Sequence, residues 1–211
     1  VVRILIHTPV VKPNWLNIIS TLELRKPVRF AWYITKGQDN QNIYDIRGQE
    51  TDGRWRKFVA DKMNRARELV LSEGYDYMLN IEHDHMFTPN TLELLLKHAK
   101  PDIYISALYR PRPSRNPRSV YCLHIKAQRG GRFPDKEFVD SNELIKAFTV
   151  VFGFTLFGRK VLERLDFDEG LDGTFAWKAE RVGIKRYVLT TARIAHIDRD
   201  GKVYWAWLDE S

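Results

Sequence analysis

Four ionisable residues stand in a row in "NIEHDHMFTPN" (80–90): Glu82, His83, Asp84 and His85, directly after the apolar run Tyr77–Ile81. Two carboxylates a few ångströms apart repel unless they share a proton or a cation sits between them. If extended geometry persists through Asp84, Glu82 and Asp84 point to one side of the chain and His83 to the other. Hard divalent ions such as Mg²⁺ or Mn²⁺ take oxygen ligands and keep places for water and phosphate oxygens. Acid–x–acid where a strand runs out is therefore a grip for a metal and a diphosphate. A polar turn capping the helix that Pro89 opens accounts for the same residues, and the triplet alone does not choose.

The elements around these residues alternate. Arg3–Thr8 is a short apolar run ended by Pro9, and Val28–Thr35 is rich in β-branched and aromatic residues; both read as strands. Asn14–Leu24 carries apolar residues at helical spacing. Trp55–Ser72 is a long amphipathic helix that Gly74 ends. Tyr77–Ile81 and Ile103–Leu108 are further strands, with a helix Leu92–His98 between them. Residues 110–134 form a Pro- and Arg-rich loop with a hairpin around Gly130-Gly131. Ala147–Phe157 is apolar and belongs in the core. Short helices follow at Arg159–Leu165 and Gly173–Val182, and Arg186–Leu189 and Arg193–Ile197 close the fold as strands. Such alternation predicts a single α/β domain over 1–211, with a central, mostly parallel, twisted sheet covered by helices on both faces. Ligands then bind beyond the carboxyl ends of the strands, where both the 80–90 stretch and Thr8-Pro9 fall.

The chain has 211 residues and a net charge of +7. No acid occurs between Asp102 and Asp135, whereas Arg110, Arg112, Arg115, Arg118, Lys126, Arg129 and Arg132 all fall there. Such a field draws phosphates, acidic glycans, nucleic acid or an anionic membrane surface. The single cysteine, Cys122, excludes an internal disulfide and fits a reducing, cytoplasmic setting. No apolar run reaches the ~18 residues that span a bilayer, so any membrane contact is expected to be peripheral. The first residue is Val rather than Met, which leaves open a longer parent chain.

Three segments, in order, resemble the GT-A glycosyltransferases. "YDYMLNIEHDHMFTPNTLELLL" resembles their metal-binding strand, turn and helix. "VFGFTLFGRKVLERL" is similar to their Gly-aromatic strand and following helix, and "FDEGLDGTFAWKAERVGIKRYVLTTARIAHI" to their acidic helix, late strand and closing His. The triplet departs from the usual Asp-x-Asp in having Glu82 first. The resemblance implies a Rossmann-like GT-A domain, with a nucleotide-binding half of about 1–108 and an acceptor half of about 109–211. It implies metal-dependent transfer of a sugar from a nucleoside-diphosphate sugar, UDP favoured, to a hydroxyl of a glycan or other acceptor.

Residue by residue, the resemblance makes Asp84 the direct metal ligand, Glu82 a ribose or metal contact, and His196 the late ligand. An imidazole there favours Mn²⁺ over Mg²⁺. His83 and His85 fall to supporting roles. Thr8 and Pro9 flank the base, Asp39 accepts a base N–H, and Asn64 and Arg65 lie near base and phosphates. Asp172 matches the carboxylate that takes the acceptor's proton in inverting members. As the residue before a helix it equally suits an N-cap, and Asp168 and Glu169 are rivals. Tyr109, Trp177 and Trp205 are candidate sugar-stacking rings. A sugar-nucleotide nucleotidyltransferase is an alternative, although "HTPVVKPNW" lacks the glycines its loop would need. A nucleic-acid-binding module using 110–132 is another, but it leaves the strand-end acids unexplained, so no nucleic-acid partner is expected. Oligomeric state is not written in the sequence.

Overall fold

The computed structural model describes residues 1–10, 28–36, 54–111, 121–127, 130–197 and 201–206. The expected helix Asn14–Leu24, Asp39, and residues 112–120 and 128–129 of the arginine-rich stretch lie outside these residues.

A seven-stranded sheet runs through the centre. Its strands, in spatial order, are β2 (Val28–Lys36), β1 (Val2–Val10), β3 (Tyr77–Ile81), β10 (Phe154–Gly158), β5 (Ile103–Leu108), β11 (Lys185–Arg193) and β8 (Leu144–Lys146). β1 is parallel to β2 and β3, and β5 is parallel to β11. β10 is antiparallel to β3 and β5, and β8 is antiparallel to β11. Five of the seven strands thus run in one direction, as the expected mostly parallel sheet requires, and β10 and β8 run against them, which makes the sheet mixed. The strand inserted at its middle, β10, runs against both of its neighbours, a choice that hydrophobic runs do not encode.

Alternation along the strands sorts side chains into two cores. Leu5, Met78, Tyr104 and Phe157 face one layer, while Ile4, Ile6, Leu79, Ile105 and Leu156 face the other. The first layer is covered by α1 (Arg54–Glu73), α4 (Arg159–Arg164) and α5 (Leu171–Arg181); α2 (Thr91–His98) covers the second. On α1, Ala60, Met63, Ala66 and Val70 are buried, the stripe of an amphipathic helix. Its C-terminal carbonyls are met by Arg159, which donates to the backbone oxygens of Val70, Leu71 and Tyr75. No helix among the described residues is long and apolar enough to cross a membrane.

Two small sheets flank the central one. In the first, β4 (His85–Met86), β12 (Ala195–Ile197) and β13 (Val203–Trp205) lie side by side, with β12 central. The second joins β6 (Leu123–Ala127) to β7 (Gly130–Arg132) as the expected hairpin and to β9 (Thr149–Val150). A short helix, α3 (Lys136–Asp140), capped by Asp135 through the Phe138 N–H, links hairpin and sheet edge.

His7 is fully buried at the carboxyl end of β1, with Nδ1 2.7 Å from Oδ1 of Asn80. The Asn80 amide donates in turn to the Phe152 carbonyl at 2.7 Å. Burial, reinforced by Lys62, lowers the His7 pKa to about 4, against the raising effect of Asn80. The folded state therefore refuses a proton that the unfolded chain accepts. Stability is complete above the unfolded histidine's pKa near 6.5 and falls as pH drops towards 4, by about 3 kcal/mol at most from this residue. Urea unfolding should show that loss in the wild type and a shallower one in His7→Gln.

Candidate metal and transfer site

The carboxyl ends of β1, β3 and β5 share one edge of the sheet, and antiparallel β10 begins there. The Glu82 N–H donates to the carbonyl of Gly153 just before β10, at 2.8 Å. Strand geometry stops at Ile81, contrary to the expectation that it persists through Asp84. Residues 83 and 84 turn, the His85 N–H returns to the Glu82 carbonyl at 3.3 Å, and the chain re-extends as β4. The turn cancels the two-residue alternation, so Glu82 and Asp84 are not the simple pair that the spacing implied.

Asp84 instead meets two imidazoles. One carboxylate oxygen lies 3.2 Å from His85 Nδ1 and the other 3.5 Å from His196 Nε2. Asp84, His85 and His196 offer ligand atoms that all fall within 4.8 Å of one another. Glu82 is outside this group, and His85, taken from sequence as a support, is inside it. Backbone pairing makes the meeting: in the register of β4 with β12, His196 stands directly opposite His85. Their rings stack at 4.6 Å between centroids, and Tyr109 packs edge-on against His85 at 4.5 Å.

The chemistry of the set fits a divalent metal. His196 Nδ1 lies 3.1 Å from the Arg110 carbonyl, which, as an acceptor, holds a proton on Nδ1 and leaves Nε2 as the lone pair towards Asp84. His85 is fully buried; its Nδ1 faces the Asp84 oxygen at 3.2 Å, and its Nε2 has no hydrogen-bond partner among the described residues. Burial, with His196 beside it, lowers the His85 pKa to about 3, so the ring is neutral and able to ligate. Close packing protects the arrangement: a Cβ on Gly153 would lie 2.6 Å from His85 Nε2. Gly153→Ala should therefore displace the His85 ring and weaken the binding of any divalent ion that the group holds, by about tenfold or more in calorimetric titration.

The remaining site residues come from several elements. Asp172 is not the cap of α5; Gly170 is, and Asp172 lies in the first turn. Leu171 just before it takes the left-handed conformation, φ 47°, uncommon for a branched apolar residue and found where surroundings impose it. Burial pushes the Asp172 carboxyl above its ordinary pKa, against the lowering influence of the Gly173 N–H. Burial raises the pKa of Tyr109 and of Cys122, and the charges of Glu82 and Asp172 both add to the rise. Burial and these charges keep the Cys122 thiol protonated, which excludes it as a nucleophile near neutral pH.

At the end of β1, Thr8 is fully buried and its hydroxyl has no hydrogen-bond partner among the described residues. Pro9 follows as the penultimate residue of the strand. On α1, Arg65 is exposed, whereas the Asn64 amide is committed in both directions to the backbone of Phe167, at 2.8 and 2.9 Å. Asn64 thereby ties α1 to the segment leading to Asp172 rather than offering its amide to a ligand. Asp168 accepts from the Gly170 N–H and pairs with Lys178, and the exposed Glu169 stands beside it.

No family model and no curated protein matches the chain. Solved structures do. A197 from STIV shares the fold at a TM-score of 0.58 and 12% identity, over 100% of this chain and 96% of that one. S. aureus TarS 1-349 shares it at 0.52 and 14% identity, over 96% of this chain but 59% of that one, so this chain spans less than two thirds of the TarS fragment. At such identities the likeness is one of fold. That fold, a mixed sheet between helical layers with an Asp–His group at the end of its third strand, is GT-A-like.

Proposed function

We propose that the protein transfers a sugar from a nucleoside-diphosphate sugar, UDP favoured, to a hydroxyl of a glycan-type acceptor, with inversion. The observation that carries this reading is the buried Asp84–His85–His196 group at the carboxyl edge of a GT-A-like sheet. Asp84, His85 and His196 would hold the metal, and two imidazoles in the set favour Mn²⁺ over Mg²⁺. When bound, the ion supplies Lewis-acid charge against the negative charge that gathers on the departing diphosphate.

The chain's own groups do the rest. The Arg110 carbonyl holds His196 in the ligating tautomer, and Gly153 leaves room for the His85 ring. Thr8 and Pro9 flank the base, with Arg65 towards the phosphates and Glu82 towards the ribose. Asp39, in the same half, accepts a base N–H. Asp172 takes the acceptor's proton at its carboxylate, and its raised pKa makes it a better base than an exposed carboxylate. The nucleotide occupies the half up to about residue 108, and the acceptor the half from about 109.

Thermal shift with UDP, GDP and CTP, each with and without Mn²⁺, tests the reading, because a ligand of the native state raises its melting point by mass action. UDP should stabilise only with Mn²⁺. No shift from any nucleotide under any metal condition would remove the donor. A shift from CTP alone, with pyrophosphate released when a sugar is added, would transfer the chain to the nucleotidyltransferases.

A further inference from the structure

Each imidazole of the metal group has two nitrogens, and one of them must face away from Asp84. On His196 the outer nitrogen is Nδ1, which lies 3.1 Å from the Arg110 carbonyl. On His85 the nitrogen towards Asp84 is Nδ1, at 3.2 Å, so Nε2 is the outer one. That nitrogen is buried and has no hydrogen-bond partner among the described residues. A ligating histidine ordinarily donates its outer N–H to an oxygen, which fixes the tautomer and the plane of the ring. His85 thus stands in a ligand's position without a ligand's outer bond, and leaving a buried polar atom in that condition is costly.

Tyr109 stands at that nitrogen. It follows β5 directly, one residue before Arg110. Its ring lies at 86° to both imidazoles, with centroids 4.5 Å from His85 and 5.8 Å from His196. Gly153 brings the two side chains to one place. A Cβ there would lie 2.6 Å from His85 Nε2 and 2.8 Å from Tyr109 Cζ, so both fill the space beside the same bare Cα. The Tyr109 oxygen accepts from the Gly153 N–H at 3.2 Å, which uses one of its lone pairs. The O–H has the weakly accepting Cys122 sulfur beside it. One lone pair is left over, next to a ring nitrogen that lacks a partner. At 2% exposure Tyr109 cannot stack on a sugar, which removes it from the candidate stacking rings.

We propose that Tyr109 is the positioning residue of the metal group: its hydroxyl accepts the His85 Nε2–H, keeps Nδ1 as the lone pair towards Asp84, and locks the ring plane. Two consecutive residues then serve the two imidazoles, Tyr109 through its side chain and Arg110 through its carbonyl. In the metal-free protein Asp84 can hold a proton on Nδ1 instead, and the same hydroxyl then donates to Nε2, so the contact persists in either tautomer. The role rests on reading Asp84, His85 and His196 as metal ligands, and not on the donor.

Co²⁺ is the probe, because its visible absorption reports the ligand field and no nucleotide is needed. Tyr109→Phe keeps the ring and deletes one atom. It should weaken Co²⁺ binding about tenfold in titration and displace the absorption band. Its metal-free melting temperature should fall as well, since the Gly153 N–H loses its acceptor; a purely structural role would stop there. In the His85→Ala background the same substitution should change Co²⁺ affinity by less than about twofold, because the hydroxyl has no ring left to hold. Wild-type affinity and band in Tyr109→Phe, or an equal loss without His85, would overturn the inference. Nitrogen NMR spectra of the metal-free histidine rings separate it from the metal reading. A His85 Nε2 resonance moved by Tyr109→Phe, in a protein that takes up neither Co²⁺ nor Mn²⁺, would strike the ion and leave the hydroxyl's hold on the ring. An unmoved resonance would overturn that hold.

Discussion

Asp84→Ala is expected to keep its fold, to lose the Mn²⁺-dependent shift with UDP, and to transfer sugar about a thousandfold more slowly or worse. The carboxylate sits between two imidazoles and is 7% exposed. Burying an anion is costly, and the neutral His85 ring offers it little charge in return. Were Asp84 present to stabilise the fold, its removal would lower the melting temperature without metal. As a ligand, it should leave that temperature unchanged or slightly raised and take away only the metal-dependent increment. Melting curves with and without Mn²⁺ separate the two roles. His85→Ala and His196→Ala should fall between the wild type and Asp84→Ala, since each leaves the carboxylate and one imidazole.

Asp172→Asn is the second large effect. The amide matches the carboxylate in shape and can still accept from the Gly173 N–H in the first turn of α5. Folding and the UDP–Mn²⁺ shift should persist, while the turnover rate falls by about 10²- to 10⁴-fold, the usual yield of a general base. The pH profile adds a check. A base whose pKa is raised by burial gives activity that grows as pH climbs through that pKa; in the amide variant this acid limb should vanish. Undiminished transfer by Asp172→Asn would pass the role to another acid, Glu82 being the other carboxylate near Tyr109 and Cys122.

The strands that form the inner sheet were legible because burial on both faces writes a long apolar run: Tyr77–Ile81 and Ile103–Leu108 match observed strands end for end. Helices α1 and α5 were legible from their stripes, and the hairpin from its paired glycines. Elements of two or three residues, such as β4 and β8, are too short to carry a period, and although β12 was read within Arg193–Ile197, its pairing with β4 joins segments distant in sequence. That blindness cost the reading of His85. Its place beside Asp84 depends on the turn at 83–84 and on β12, more than a hundred residues later. Asn64 shows the reverse case: a polar residue on a helix near the expected nucleotide, whose hydrogen bonds are taken by a backbone segment that no local pattern brings to it.

The pairing of β4 with β12 has a consequence for how the flanking sheet is retained. One imidazole stands in β4 and the other in β12, more than a hundred residues further along, and only the docking of the β12–β13 ribbon brings them face to face. A molecule in which that ribbon came away could retain most of the central sheet yet possess half a chelate. Ion capture would thus act as a latch, holding the ribbon against β4.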